Sequence, residues 1–387
     1  MDDVNTREML AVVPSLESII LGDFSNEPVP RLPGDPPARL HLVTGVFTVD
    51  PKERKVLIQQ RSSSKAWYPG YFTDSASGHV RARDNLSLQG VKEDAVRELD
   101  EEMGLELQPR DLRLLNFFFD PTFNEIKFIF LAKANSKEPL SLHPTEVNHE
   151  GTGWRDSKHL PEQLESQPFV PAVSGIWSMI ASRIDDIPLI FKRLEPWQEY
   201  WRYFGDLRQY LGYARKRDIL DTPFFVGRFQ PFHLGHLRCI KHISKDHDSA
   251  IIGIGSPQYS RTARNPLTYL ERRTMIEKVL QSESVDLSRA WIFPVPDLHN
   301  ETLWMLNVKL MVENRVTLFS NNEWVRGLAR NEGIKLGEKL SFDVERFNGT
   351  RIRKMIRSGN PWESLLPEAS IKYMRAHGLL ACIKKSG

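Results

Sequence analysis

One stretch constrains this chain more than any other: Gly227-Arg228-Phe229-Gln230-Pro231-Phe232-His233-Leu234-Gly235-His236. It follows Phe224-Phe225-Val226, an apolar run that reads as a buried parallel strand, and leads into Leu234–Ile243, where apolar residues recur at helical spacing. A strand that turns straight into a helix aims the helix's first N–H groups and its dipole at one spot, a seat for an anion. Gly227 and Gly235 are expected to let the main chain approach a ligand that a Cβ would exclude. His233 and His236 stand on the first turn, spaced to point to one side. As cations or N–H donors they suit a leaving pyrophosphate, where negative charge builds up.

From Thr222 onward strand and helix patterns alternate, which predicts a doubly wound parallel sheet with helices on both faces. The expected strands are Phe224–Val226, Ala250–Ile254, Trp291–Val295 and Val316–Phe319. Gly255 ends the second of them at the carboxyl edge, where ligands bind in open α/β sheets. A polar loop with Arg261, Arg264 and Asn265 follows, and Thr268-Tyr269-Leu270-Glu271 is a capping box. Further along come Pro296-Asp297-Leu298-His299-Asn300 with Trp304, then Ser320-Asn321-Asn322-Glu323, then Asn348-Gly349-Thr350-Arg351-Ile352-Arg353. No Gly-x-x-x-x-Gly-Lys-Ser/Thr loop occurs, which sets P-loop NTPases aside.

Taken together, these motifs resemble the His-x-Gly-His nucleotidyltransferases, and in wording the archaeal-type nicotinamide mononucleotide (NMN) adenylyltransferases. The resemblance covers about 222–380 and implies a Rossmann-like domain over 222–387 that joins ATP to NMN, giving NAD and pyrophosphate. It implies phosphate contacts from His233, His236 and Arg353, and nucleotide contacts from Gly227, Arg228, Phe229, Gln230, Gly235, Gly255, Arg261, Asn265 and Asn321. Thr350 is expected to cap the last motif's helix and offer a hydroxyl. Trp304 is expected either to stack on the nicotinamide ring or to sit in a core.

The first half carries a different chemistry. In Arg97-Glu98-Leu99-Asp100-Glu101-Glu102-Met103-Gly104, helical spacing brings Glu98, Glu101 and Glu102 towards one side while Ala95, Val96, Leu99 and Met103 face a core. Clustered carboxylates repel one another unless a cation joins them, and oxygen ligands suit Mg²⁺ or Mn²⁺. Gly104 should end the helix, and Arg97 should neutralise part of the cluster. The spacing resembles the core of the Nudix box, which implies an α/β/α sandwich with a mixed sheet over 41–180 and hydrolysis of a nucleoside diphosphate derivative. ADP-ribose is the first choice, by metabolic analogy alone.

The box departs from the family pattern: its glycine is Gly78, the loop Arg81–Ser87 is longer, and Gln89 stands where the first glutamate is usual. Hydrolysis then competes with a regulatory module that binds without turnover. Glu150, before Trp154, is a candidate further acid, and Ser166-Gln167-Pro168-Phe169 lies too far from the box to be a substrate tag. Lys65–Gly70 and Gly78-His79-Val80 are also similar to the isopentenyl diphosphate isomerase branch. Its cysteine chemistry is disfavoured, because Cys239 and Cys382 both lie in the other half.

The remaining segments bear on organisation. Proline at positions 28, 30, 33, 36 and 37 predicts that residues 1–40 form an extended lead-in, denied both helix and sheet. Residues 181–221, with Leu194, Trp197, Trp201 and Phe204 at helical spacing, predict a linker helix that docks one domain on another, with base stacking the rival use. At 387 residues there is chain enough for two cores, and a net charge of +2 argues against a nucleic-acid binder. Two cysteines, an acidic N-terminus and no apolar run of the ~18 residues a span requires predict a cytoplasmic protein without membrane contact. The expected partners are small nucleotides, the oligomeric state is left open, and flavin mononucleotide is the rival acceptor for the transferase.

Overall fold

Strand β3 (His41–Asp50) is buried along its whole length, and the first half is assembled around it. The structure, a computed structural model, describes residues 8–31, 39–188, 191, 204–247, 249–285, 290–339 and 346–386. The chain divides into two compact units, Met1–Glu195 with Leu298–Trp304, and Pro196–Asp297 with Met305–Gly387.

The first unit opens with β1 (Met9–Val12), α1 (Leu16–Ile20) and β2 (Glu27–Pro30) ahead of β3. Then come β4 (Lys55–Ile58), β5 (Ala76–His79), α2 (Leu88–Met103), β6 (Leu112–Asp120), β7 (Glu125–Lys133), β8 (Gly153–Asp156), α3 (Leu160–Ser166) and α4 (Pro171–Ser182). The sheet is mixed: β3 runs parallel to β7 and antiparallel to β1, β4 and β5, while β6 pairs with β7 and β8 with β4. This is the mixed sheet expected for the region.

The lead-in differs from expectation. Residues 9–30 form an antiparallel hairpin at the edge of the sheet, Met9 opposite Pro30 and Val12 opposite Glu27. Proline is tolerated in β2 because an edge strand has one side whose N–H groups bond nothing in the ladder. Leu10, Ala11, Val12 and Ile19 are buried, so this segment completes the unit's core.

On β7, alternation sends Ile126, Phe128 and Phe130 to one face and Glu125, Lys127, Ile129 and Leu131 to the other. On the second face Ile129 and Leu131 join Phe47, Val49 and Trp177 in an apolar cluster. Phe169 belongs to this cluster too, so the Ser-Gln-Pro-Phe stretch has a packing role.

The second unit contains α5 (Gly205–Arg217), β9 (Thr222–Gly227), α6 (Leu234–Asp246), β10 (Ala250–Gly255), α7 (Tyr269–Ser282) and β11 (Ala290–Val295). It continues with α8 (Glu301–Met311), β12 (Val316–Phe319), α9 (Glu323–Asn331), β13 (Lys335–Leu336), α10 (Gly349–Ser358), α11 (Glu368–Ala376) and α12 (Leu379–Lys385). The sheet is parallel in the order β11-β10-β9-β12-β13. The order reverses at β9, the strand that feeds the His-x-Gly-His turn, so that turn stands at the topological switch point. All four expected strands are present, and the short β13 is an addition. Tyr210 and Tyr213 of α5 pack on Trp291, with ring centroids 5.3 and 5.0 Å apart. These two rings of the aromatic stretch therefore serve packing; Leu194, Trp197 and Trp201 lie outside the described residues.

Candidate functional site

The second unit's site is built on the turn from β9 into α6. His233 is the N-cap of α6 with extended backbone, and its Nδ1 accepts the N–H of His236 at 3.4 Å. The His233 N–H in turn donates to Nδ1 of His236 at 3.2 Å. This is a capping box written with two imidazoles. Their rings stack 3.5 Å apart at 16°. Because each Nδ1 receives a backbone N–H, each ring proton belongs on Nε2. Burial lowers His233 to about 3 and His236 well below its ordinary value. The pair therefore stands as neutral rings with N–H groups at Nε2.

Packing bears on the glycines unequally. A Cβ on Gly235 would lie 2.7 Å from Cβ of Phe347 and 3.1 Å from Nδ1 of His233. Packing of the histidine box demands a glycine there. At Gly227 the nearest atoms are in the Phe229 ring at 3.0 Å, and at Gly255 nothing comes closer than 3.6 Å. Phe229 adopts a left-handed φ of 51° that turns its ring into the core, 4.8 Å from His236. It supports the histidines from behind and does not present its ring to a nucleotide.

Arg353, on α10, is brought to the same turn: Nη1 donates to the Gln230 carbonyl at 2.8 Å and Nη2 to the Thr350 hydroxyl at 3.1 Å. Its Nε is buried without a hydrogen-bond partner. Burial, then the charges of Arg228, Arg357 and Arg264, depress it to about 10. A neighbouring anion would relieve this mutual repulsion. The N-cap of α10 is Asn348, whose Oδ1 accepts from the N–H groups of Thr350 and Arg351 at 2.9 and 3.3 Å. Thr350 is thus not the cap, because Asn348 stands one position before the helix and reaches both donors first; its hydroxyl steadies Arg353 instead.

The remaining expected contacts divide. Gln230 spends its amide on Leu267, accepting at 2.9 Å and donating at 3.0 Å. Arg261 is turned to Glu271, donating through Nη1 at 2.7 Å. Asn265 is buried with its Oδ1 lacking a partner. Asn321 lies between β12 and α9, after the strand end. Trp304 packs on the first unit's apolar cluster, the core alternative weighed for it. Arg272 was not singled out from sequence: fully buried on α7, it donates to the carbonyls of Arg228, Gly255, Ser256 and Thr268 and so ties both strand ends together.

In the first unit, α2 ends at Gly104 with φ 68°, as expected. Glu102 is buried and accepts the Ser77 N–H at 3.1 Å. Glu98 lies against β5: a Cβ on Gly78 would come 2.0 Å from its carboxyl carbon. Arg97 Nη1 meets Glu98 at 2.7 Å and Glu101 at 2.9 Å, while Glu101 is half exposed. Among the described residues no three His, Cys, Asp or Glu side chains stand as a ready metal set. The burial of Glu98 and Glu102 nevertheless suits a cation. Burial pushes Glu98 up to about 7 and Glu102 up to about 8, and a neighbouring cation reverses such a shift.

Sequence reasoning missed Asp94 and Glu8. Buried Asp94 accepts from the Arg81 N–H at 3.1 Å and from Arg83 at 2.5 Å, fixing the long loop before α2. Glu8, at the start of the hairpin, reaches Arg31 at 3.0 Å and Arg97 at 3.8 Å. Gln89 is exposed and donates to Glu93, and Glu150 sits on an exposed turn, its N–H on Asn148.

A switch-point turn closed by two histidines and met by Arg353, in a chain whose other unit has a Nudix fold, defines a nucleotidyltransferase joined to a Nudix domain. Family models agree: cytidylyltransferase-like over residues 224–332 and NUDIX domain over 39–172. The chain is 37% identical over 152 residues to the nicotinamide-nucleotide adenylyltransferase of Thermoplasma volcanium, covering 39% of this chain and 84% of the relative. Against that of Pyrococcus horikoshii it is 35% identical over 151 residues, 39% and 81%. It belongs to the nicotinamide-nucleotide adenylyltransferase family. Among solved structures, a bifunctional NMN adenylyltransferase/ADP ribose pyrophosphatase from Francisella tularensis is similar at 23% identity and TM-score 0.36, over 42% of this chain and 52% of that one. No helix among the described residues is long and apolar enough to cross a membrane.

Proposed function

We propose that the second unit makes NAD from ATP and NMN. A 5′-phosphate oxygen of NMN attacks the α-phosphorus of ATP, the bond to the bridging oxygen breaks, and pyrophosphate leaves. No side chain is needed as a nucleophile, so catalysis is positioning and charge stabilisation. The observation that carries this is the pairing of two Nε2–H donors with Arg353 at one helix N-terminus. The donors hold the triphosphate tail, and Arg353 takes the charge that develops on pyrophosphate.

In the first unit the reading is hydrolysis of a nucleoside diphosphate derivative, ADP-ribose first. Glu98, Glu101 and Glu102 would hold Mg²⁺ or Mn²⁺, with Arg97 released from Glu98 and Glu101. Such a cation supplies Lewis-acid charge for the diphosphate. Ser77 fixes Glu102, and Gly78 keeps the floor under Glu98 open. The deciding experiment incubates the protein with ATP, Mg²⁺ and either NMN or flavin mononucleotide, and separately with ADP-ribose. Mass spectrometry should find NAD from the first mixture, and AMP with ribose 5-phosphate from the last. No NAD from NMN would remove the transferase reading, and intact ADP-ribose the hydrolase one.

A further inference from the structure

The charged end of β7 has no packing explanation. Glu125 and Lys127 share a face with Ile129 and Leu131, yet only the latter pair enters the apolar cluster. Lys127 is 7% exposed and its Nζ lies 2.9 Å from Oδ2 of Asp74, itself fully buried. A buried ion pair of this kind adds little stability against an apolar pair of the same volume. Room is made for it deliberately: a Cβ on Gly45 would fall 2.6 Å from Cε of Lys127 and 2.5 Å from Oδ2 of Asp74. The ammonium carries three donors. Among the described residues Asp74 is its one ion-pair partner.

Where this cation lies is the informative point. Gly45 is opposite Ser77 in the β3–β5 ladder, and the Ser77 N–H holds Glu102. Lys127 thus reaches over β3, the strand next to the one whose Ser77 N–H holds Glu102. The charge of Asp74 is felt at Glu102 as well, and that of Lys65 reaches it from the aromatic loop. Arg61 acts on both Glu125 and Lys127.

We propose that Lys127 is a phosphate-anchoring residue of the first unit's site: its ammonium, steadied by Asp74 over the bare Cα of Gly45, takes the phosphate of a nucleoside diphosphate derivative that the α2 carboxylates do not engage. This rests on the hydrolytic reading of that site. The anchor then sets which of the two phosphates lies towards α2 and thereby selects diphosphate esters over monophosphates.

The test uses the full chain and three variants: Lys127→Met, Asp74→Asn and the double variant, each first compared with wild type by thermal melting. With ADP-ribose and Mg²⁺, Lys127→Met should raise KM about tenfold or more with a smaller change in kcat, as for loss of uniform binding. The double variant keeps volume while removing both charges, and its KM should stay raised. If the double variant returns to the wild-type KM, Lys127 merely compensates Asp74 and the proposal is overturned. Calorimetric binding of ADP-ribose in EDTA reads the anchor without turnover. There Lys127→Met should bind about tenfold more weakly than wild type, and equal binding overturns the proposal. A wild type that binds in this Lys127-dependent way but never cleaves would overturn the hydrolytic reading and leave the anchor standing.

Discussion

His233 and His236 show how a short motif fixes protonation. Each Nδ1 is consumed by a backbone N–H, so the tautomer follows from helix geometry and not from the ligand. Nitrogen NMR of the protein without nucleotide should therefore show both rings neutral at pH 6 with the proton on Nε2, and a charged ring there would contradict the arrangement. A stability consequence follows with a definite sign. Unfolded, an imidazole takes its proton near 6.5; folded, His233 resists until about 3. Between those values the folded state binds fewer protons, so its stability is fully present above about 6.5 and falls as pH drops through the window. The loss is about 1.4 kcal/mol per pH unit for the one ring. Melting temperature should decline from pH 7 to pH 5, and more shallowly in His233→Asn, which keeps an N-cap acceptor but cannot titrate. Equal slopes would show that the rings are not the titrating groups. The motif was legible as two histidines on a first helical turn; their neutrality was not, because burial and the reciprocal cap depend on Phe229, Phe232 and Phe347 packing around them.

At the scale of elements, local pattern carried far and long-range partners carried the rest. Strands rich in Val, Ile and Phe, and helices with a glycine or a capping box at their ends, fall where periodicity put them. Three features did not. The hairpin Met9–Pro30 was hidden because proline argues against sheet until an edge position is known. Asn348 was passed over as the cap because Thr350 carried the family resemblance, while only the backbone shows which residue stands outside the helix. Glu8 gives no sequence signal linking it to α2, as its approach to Arg97 depends on how the hairpin joins residues 80–82. The α2–β5 contact yields the clearest element-level prediction. Gly78→Ala places a methyl where the Glu98 carboxylate lies, so ADP-ribose cleavage should fall by at least about 10²-fold, the scale of a misplaced catalytic group. NAD synthesis by the same preparation should be unchanged. Retained cleavage would mean that Glu98 is not needed where the structure puts it. In α10, Asn348→Ala should cost about 1 kcal/mol of stability, measured by denaturant unfolding.

For the whole molecule, the question is whether one chain carries two chemistries or one chemistry and a sensor. Each unit has its own sheet and core, and these named side chains divide between them: the histidine box and Arg353 in the second, Glu98, Glu102 and Arg97 in the first. The two reactions should therefore separate genetically. His236→Ala removes an N–H donor and half of the α6 cap, and should lower the kcat of NAD formation by about 10²–10³-fold, the range for one lost oxyanion donor. Cleavage of ADP-ribose should stay at the wild-type rate. Glu102→Gln should do the reverse, because a neutral amide at that buried position cannot offer the charge a divalent cation requires. Both rates measured on both variants, with melting curves as controls for folding, give four numbers. Two losses and two wild-type values support independent sites. If Glu102→Gln left hydrolysis untouched, or if no hydrolysis were found in wild type while ADP-ribose altered the rate of NAD formation, the first unit would be a ligand sensor. The exposed Gln89, where a glutamate is usual, would then be the first residue to revert in a search for lost turnover.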